Sequence, residues 1–265
     1  MIAQPEAAAP APAPALSVQA LGVRYGALVA LEDVSWEVRA GELLGIIGPN
    51  GAGKSSCYDA VSALIPRTGT VCLHGRDISA VPAHGLAALG IKRAFQQNAF
   101  FDDLSVLENM MAVLGEQAQA GLLASALNPL GAARRRAQAR AWAAGQLERF
   151  GVPAACHDLH PKEISYGMQR MLSIALAYGR GATVLLLDEP AAGLGGADMA
   201  ALVRLLGELK SEGVALVVIE HHMELIMAVA DRICVLNLGR PLACGAPAAI
   251  QNDPRVLEAY LGSAQ

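Results

Sequence analysis

The chain has 265 residues, with 20 Lys+Arg against 24 Asp+Glu for a formal net charge of −4. Hydrophobic residues make up 54%, charged residues only 17%, and the mean hydropathy is +0.37. That balance would suit a membrane protein, but a spanning helix needs roughly 20 consecutive apolar residues, and clean runs such as 43–47, 184–187 and 214–219 are far shorter.

The length suits one large domain or two small ones with a sizeable core. Mild acidity weighs against a nucleic-acid partner, because such binders carry a basic stripe that displaces counterions. The densest basic run is Arg134, Arg135 and Arg136 with Arg140. It reads as a solvated helix face, with contact to anionic headgroups as the sharper alternative. Cys57, Cys72, Cys156, Cys234 and Cys244 are odd in number, widely spaced and lack a Cys-x-x-Cys pair. They exclude a zinc ribbon or a fully paired disulfide framework and fit a reducing compartment.

In chain order, the N-terminus has neither the basic start nor the apolar core of a signal peptide. Residues 1–15 are Ala/Pro-rich and read as a disordered tail. Residues 17–25 and 30–38 alternate apolar and polar side chains, which predicts two strands. After a Gly41-Glu42 turn, 43–48 is an apolar run of buried-strand length, and 54–64 reads as a helix entered from a glycine-rich loop. A short strand at 70–73 is closed by His74-Gly75. The stretch 103–150 has helical spacing, broken at Asn128-Pro129. Helix resumes at Glu163, followed by strand 184–187, helix 198–212, strand 215–219, helix 223–230 and strand 232–236. Strands alternating with helices predict a parallel sheet with helical crossovers, interrupted by a mostly helical insertion.

Gly48-Pro49-Asn50-Gly51-Ala52-Gly53-Lys54-Ser55 matches the phosphate-loop pattern Gly-x-x-x-x-Gly-Lys-[Ser/Thr] in full, between a buried strand and a helix. Glycines let the backbone curl around phosphates with its amides aimed inward, and the helix N-terminus adds positive partial charge. Lys54 is expected on the β and γ phosphates and the Ser55 hydroxyl on Mg²⁺. Strand 184–187 then delivers Asp188 and Glu189 to the end of the sheet where ligands of open parallel sheets bind. Asp188 suits Mg²⁺ held through water, and Glu189 suits a general base on the attacking water. Ser165 is a good helix N-cap; with Gly167 and the helix dipole the same turn also reads as a second anion site.

The phosphate loop, the turn Ser165-Tyr166-Gly167-Met168-Gln169, the run Leu185-Leu186-Leu187-Asp188-Glu189-Pro190 and Val218-Ile219-Glu220-His221 resemble, in order and spacing, the ATP-binding subunit of ABC transporters. Four stretches resemble most the branched-chain amino acid (amide/urea) importer group: Gly90 to Gln96, Ser165-Tyr166-Gly167, Asp188 to Leu194, and Asn252-Asp253-Pro254 to Ala259-Tyr260-Leu261-Gly262. The resemblance implies an α/β P-loop NTPase fold over 16–265. A RecA-like parallel core would carry an N-terminal antiparallel β subdomain and a helical subdomain inserted at about 97–162, enlarged around 121–136.

It also implies ATP and Mg²⁺ as cofactors and a set of residue roles. Tyr25 would stack on adenine, and Gly48, Pro49, Asn50, Gly51, Ala52, Gly53, Lys54, Ser55 and Ser56 would bind the phosphates. Gln96 would touch Mg²⁺ or the attacking water, with Ser55 and Asp188 as the other Mg²⁺ residues. His221 would hold the γ-phosphate and the water with Glu189. Ser165, Tyr166, Gly167 and Gln169 would face the ATP of a second ATPase subunit, itself or a paralogue. Two transmembrane permease subunits and, indirectly, a solute-binding protein complete the implied assembly, at the cytoplasmic face of the membrane. Phe100, Phe101, Leu104 and Val106 are candidate contacts to the permeases, with some of them expected in the core.

Gly195-Gly196, Met168 and His222 depart from the usual pattern without removing a catalytic group. The rival readings are the ATPase of lipopolysaccharide export, expected to carry Ser-Gly-Gly, a soluble non-transport ABC ATPase, and a hydrolysis-dead regulatory nucleotide binder, against which intact Lys54, Asp188, Glu189 and His221 argue. Cys156, His157 and His160 lie close enough to suggest zinc, one ligand short of four.

Overall fold

The computed structural model describes residues 13–95, 99–114 and 129–261, which form two sheets with helices packed on them. Strands β1 (Leu16–Tyr25), β2 (Leu28–Val38), β4 (Thr68–Leu73) and β5 (Arg76–Asp77) make an antiparallel sheet in the order β2-β1-β4-β5. The second sheet has the order β10-β9-β3-β8-β7-β6. It comprises β3 (Leu43–Ile47), β6 (Ile91–Ala94), β7 (Val184–Asp188), β8 (Ala215–Ile219), β9 (Arg232–Asn237) and β10 (Arg240–Gly245). All of its pairs are parallel except β9 with the edge strand β10.

The apolar runs are continuous because both faces of this sheet are covered. Leu43, Ile47, Leu185, Leu187, Leu216 and Val218 face a core completed by α3 (Val106–Ala112), α5 (Tyr166–Tyr178) and α6 (Gly196–Ser211). Leu44, Ile46, Leu186, Val217 and Ile219 face the other core, shared with α1 (Lys54–Val61) and the antiparallel sheet. The helix after the phosphate loop is therefore gripped from both sheets, and the Tyr58 hydroxyl donates to the Val217 carbonyl at 2.5 Å. The remaining helices are α2 (Ala83–Leu86), α4 (Pro129–Arg149), α7 (Met223–Val229), α8 (Pro247–Gln251) and α9 (Pro254–Leu261). Among the described residues no helix is long and apolar enough to cross a membrane.

Several sequence expectations need correction. Ala15, assigned to the tail, is buried, and its carbonyl accepts from His74 N at 2.9 Å. Cys234 and Cys244, for which the sequence predicts no pairing, stand opposite each other in the β9–β10 ladder and are joined as a disulfide, while Cys57, Cys72 and Cys156 are free, so the framework is not fully paired. The spacing concealed this because a hairpin, not a Cys-x-x-Cys loop, brings them together. Val106 is core and Phe100 packs against it, leaving Phe101 as the strongly exposed aromatic of that segment. Buried Asn109 fixes the segment's path, donating to the carbonyls of Phe101, Leu104 and Ser105. The enlargement expected around 121–136 falls partly outside the described residues; Arg134, Arg135 and Arg136 are exposed on α4.

Candidate active site

Loop 48–53 leaves β3 in the middle of the parallel sheet and enters α1 directly. Ala52 N bonds to the Pro49 carbonyl at 3.1 Å and Gly239 N to the Ala52 carbonyl at 3.1 Å, so the loop is tied to itself and to the β9–β10 turn. Two glycines are demanded by space as well as by dihedral angle. At Gly48 (φ +153°) a Cβ would collide with the Leu236 carbonyl, and at Gly53 (φ +95°) it would stand 2.6 Å from Leu31 and 2.7 Å from the Ala30 carbonyl. Pro49, Asn50, Gly51 and Ala52 fill the loop, and Ser55 and Ser56 occupy the first turn of α1, where amides lack helical acceptors and an anion is favoured. Lys54 Nζ donates to the Gly48 and Pro49 carbonyls at 2.8 and 3.0 Å. Burial lowers its pKa, with Glu189 and Asp188 acting in the opposite direction. Half-exposed Tyr25, at the end of β1, has its hydroxyl 3.5 Å from Ser56 Oγ, which stands the ring beside the same helix turn.

Strand β7 ends in Asp188, in register with Ile219 of β8, and Glu189 N bonds to the Ile219 carbonyl at 2.9 Å. Glu189 has φ +46°, a left-handed conformation that costs a residue with a Cβ roughly 1–2 kcal/mol and is concentrated at functional sites. His221 Nδ1 lies 3.4 Å from Glu189 Oε1. Burial pushes the Asp188 carboxyl above its ordinary value; Arg93, 3.5 Å away, pulls it back, and Glu189 and Asp59 add to the rise. The geometry thus brings Lys54, Asp188, Glu189 and His221 together at the ends of β3, β7 and β8. A partly buried acid at a strand end, with serine hydroxyls on the helix that leaves the phosphate loop, offers the all-oxygen chemistry that would suit Mg²⁺ keeping some of its waters.

The turn 165–169 is a second group, built at the start of α5. Ser165 caps the helix, its Oγ accepting from Met168 N at 3.3 Å, and Gln169 Nε2 donates to the Ile164 carbonyl at 3.1 Å. Tyr166 is half exposed, and Gly167 sits where a Cβ would run into the Asp198 carboxylate. Gln96 lies outside the described residues. The zinc candidates disperse: Cys156 Sγ approaches Met168 Sδ, His157 Nε2 meets the Val152 carbonyl and His160 Nδ1 the Asp102 carbonyl.

Two residues of the site went unassigned by the sequence reading. Arg93, on β6, spans Asp59 at 2.7 Å and Asp188, with its guanidinium 5.1 Å from the Tyr58 ring centroid and 4.8 Å from that of Phe95. Glu220, just beyond β8, is wholly buried and accepts main-chain hydrogen bonds from two loops. Both lie in stretches that carry the family resemblance, but nothing local assigns them a role, since every partner but the adjacent histidines comes from a distant segment.

A strand, phosphate loop and helix, with the next strand but one in the sheet ending in Asp188 and followed by Glu189, define a P-loop nucleotide-hydrolysing protein. The profile described as ABC transporter matches residues 31–192, and one described as branched-chain amino acid ATP-binding cassette transporter matches 240–265. The chain is 37% identical over 253 residues to the high-affinity branched-chain amino acid transport ATP-binding protein of Salmonella typhimurium, covering 95% of this chain and 99% of that one. It is 31% identical to the lipopolysaccharide export system ATP-binding protein of Escherichia coli, covering 93% and 97%. A crystal structure of a nucleotide-free ATP-binding cassette from an ABC transporter superposes with a TM-score of 0.79 at 24% identity, covering 93% of this chain and 98% of that one. The chain belongs to the ABC transporter family, as an ATP-binding subunit that hydrolyses ATP.

Proposed function

We propose that this chain powers the import of branched-chain amino acids or related small amides or urea, as the ATPase subunit of a transporter whose membrane-spanning permeases are separate chains. The observation that carries the substrate class is the match of residues 240–265 to the branched-chain profile, in a stretch remote from the phosphate loop. The higher identity to an amino acid transport protein than to a lipopolysaccharide export one favours the same reading.

Within it, loop 48–53 and Ser56 cradle the phosphates, Lys54 turns from the loop carbonyls to the β and γ phosphates, and Tyr25 stacks on adenine. Ser55 and Asp188, with Gln96, hold Mg²⁺, which supplies charge neutralisation on the phosphates. Glu189 takes the proton of the attacking water, and His221 fixes that water and touches the γ-phosphate. The 3.4 Å approach of His221 to Glu189 supports this division of labour. The turn of Ser165, Tyr166, Gly167 and Gln169 serves the ATP of a second ATPase subunit, so that two subunits close while γ-phosphates are present and open after hydrolysis. The helical insertion at about 97–162, with Phe101 exposed on it, passes that movement to two permeases at the cytoplasmic face, which a solute-binding protein feeds from the other side.

Isolation of the chain with its native membrane partners tests the proposal. The expected result is recovery of two permeases and ATP-driven leucine uptake after reconstitution. Recovery without any membrane protein would overturn the transport reading, and recovery with lipopolysaccharide-export partners would overturn the substrate class.

A further inference from the structure

Glu220 has no part in the chemistry assigned above, yet its side chain is fully buried one residue before His221. A carboxylate is stable in such a place only when donors replace its water. Here they are mainly main-chain groups from two loops. Oε1 accepts from Ala191 N at 2.8 Å. Oε2 accepts from His221 N at 2.9 Å and His222 N at 3.1 Å, and His222 Nδ1 lies 3.2 Å from the same oxygen. Ala191 follows Glu189 by two residues, so one carboxylate joins the loop that carries Glu189 to the loop that carries His221.

The connection continues outward. Leu194 N bonds to the Ala191 carbonyl at 3.0 Å, and at Gly193 a Cβ would stand 2.8 Å from the Tyr166 ring. A contiguous set of contacts thus runs from the Ser165-Tyr166 turn through loop 191–194 and Glu220 to His221 and Glu189. A carboxylate suits the junction because both of its oxygens accept. An amide has one accepting oxygen and would have to turn its NH₂ toward the donors of one loop.

We propose that Glu220 is a positioning residue: it anchors the His221 backbone so that the ring meets Glu189, and it makes that meeting depend on the position of loop 191–194 and hence of the Tyr166 turn. The proposal rests on the roles given to Glu189 and His221 under the proposed function.

The test compares Glu220→Gln, His221→Ala and the double variant in the full-length chain with its transporter partners, measuring kcat and KM for ATP. Glu220→Gln should lower kcat at least tenfold with KM within twofold, and should lower it no further in the His221→Ala background. A wild-type kcat in Glu220→Gln, or independent multiplication of the two losses, would overturn the proposal. If His221→Ala itself hydrolyses ATP at the wild-type rate, the assignment of His221 falls instead. Should Glu220→Gln fail to bind ATP, Glu220→Asp decides, because it keeps the charge but is too short to reach both loops. A kcat lowered at least threefold at unchanged KM supports the proposal, and a wild-type kcat overturns it.

Discussion

Strands β7 and β8 run side by side and parallel, and one step beyond their last registered pair, Asp188 with Ile219, each chain continues into a glutamate. The two carboxylates have opposite fates. Glu189 keeps 24% of its side-chain surface, turns out of the strand through φ +46° and meets His221 at 3.4 Å. Glu220 keeps none, and its oxygens accept from the amides of Ala191, His221 and His222. Equivalent positions in the sheet thus yield one acid suited to chemistry and one that is architecture. Glu220 can be buried as a carboxylate because main-chain amides of two loops donate to it.

Stability measurements can break or sharpen that contrast. The largest effect is expected for Glu220→Ala, which leaves amides of two loops unsatisfied in the interior. It should lose about 3–5 kcal/mol of unfolding free energy, read by denaturant titration; a loss below about 1 kcal/mol would remove Glu220's architectural role. Arg93→Ala comes next, at about 2–3 kcal/mol, since it leaves Asp59 and Asp188 facing each other without their shared cation.

That variant should also respond to pH with a definite sign. Asp188's folded value is raised, chiefly by burial. The folded state therefore holds its proton more tightly than the unfolded chain does, and stability falls as pH rises from the ordinary carboxylate range through the raised value. Removing Arg93 should make that fall steeper, and Asp188→Asn should flatten it.

A smaller effect of opposite direction is expected at the first glutamate. Glu189→Gly relieves the left-handed strain and should raise stability by about 1 kcal/mol while abolishing hydrolysis. A stability loss there would mean that Glu189, too, is structural. Smallest of all, Cys57 should resist iodoacetamide at pH 8 in the folded chain: burial pushes its thiol up to about 12, and the thiolate is the reactive form. Peptide mapping before and after unfolding checks this.

Much of the framework was legible because it is written in contiguous residues. The phosphate loop carries its own glycines, lysine and serine, and strands buried on both faces announce themselves as runs without a polar side chain at 43–47, 184–187 and 215–219. The edge strands β6 and β10 escaped notice, since Lys92, Arg93 and Pro241 interrupt any apolar pattern and each strand has one neighbour. Arg93 and Glu220 were invisible for a different reason. Their meaning lies in partners such as Asp188 and Ala191 that only the folded sheet brings near. The Cys234–Cys244 pair belongs with them, defined by a hairpin register and not by a motif.

The central claim is that Glu189, and not its buried counterpart, performs the proton transfer. Its most direct test is the rate of ATP hydrolysis by Glu189→Gln at saturating ATP and Mg²⁺, with ATP binding measured on the same preparation. Loss of a positioned general base predicts a fall of roughly 10²–10⁴-fold with binding retained. Hydrolysis near the wild-type rate would contradict the account.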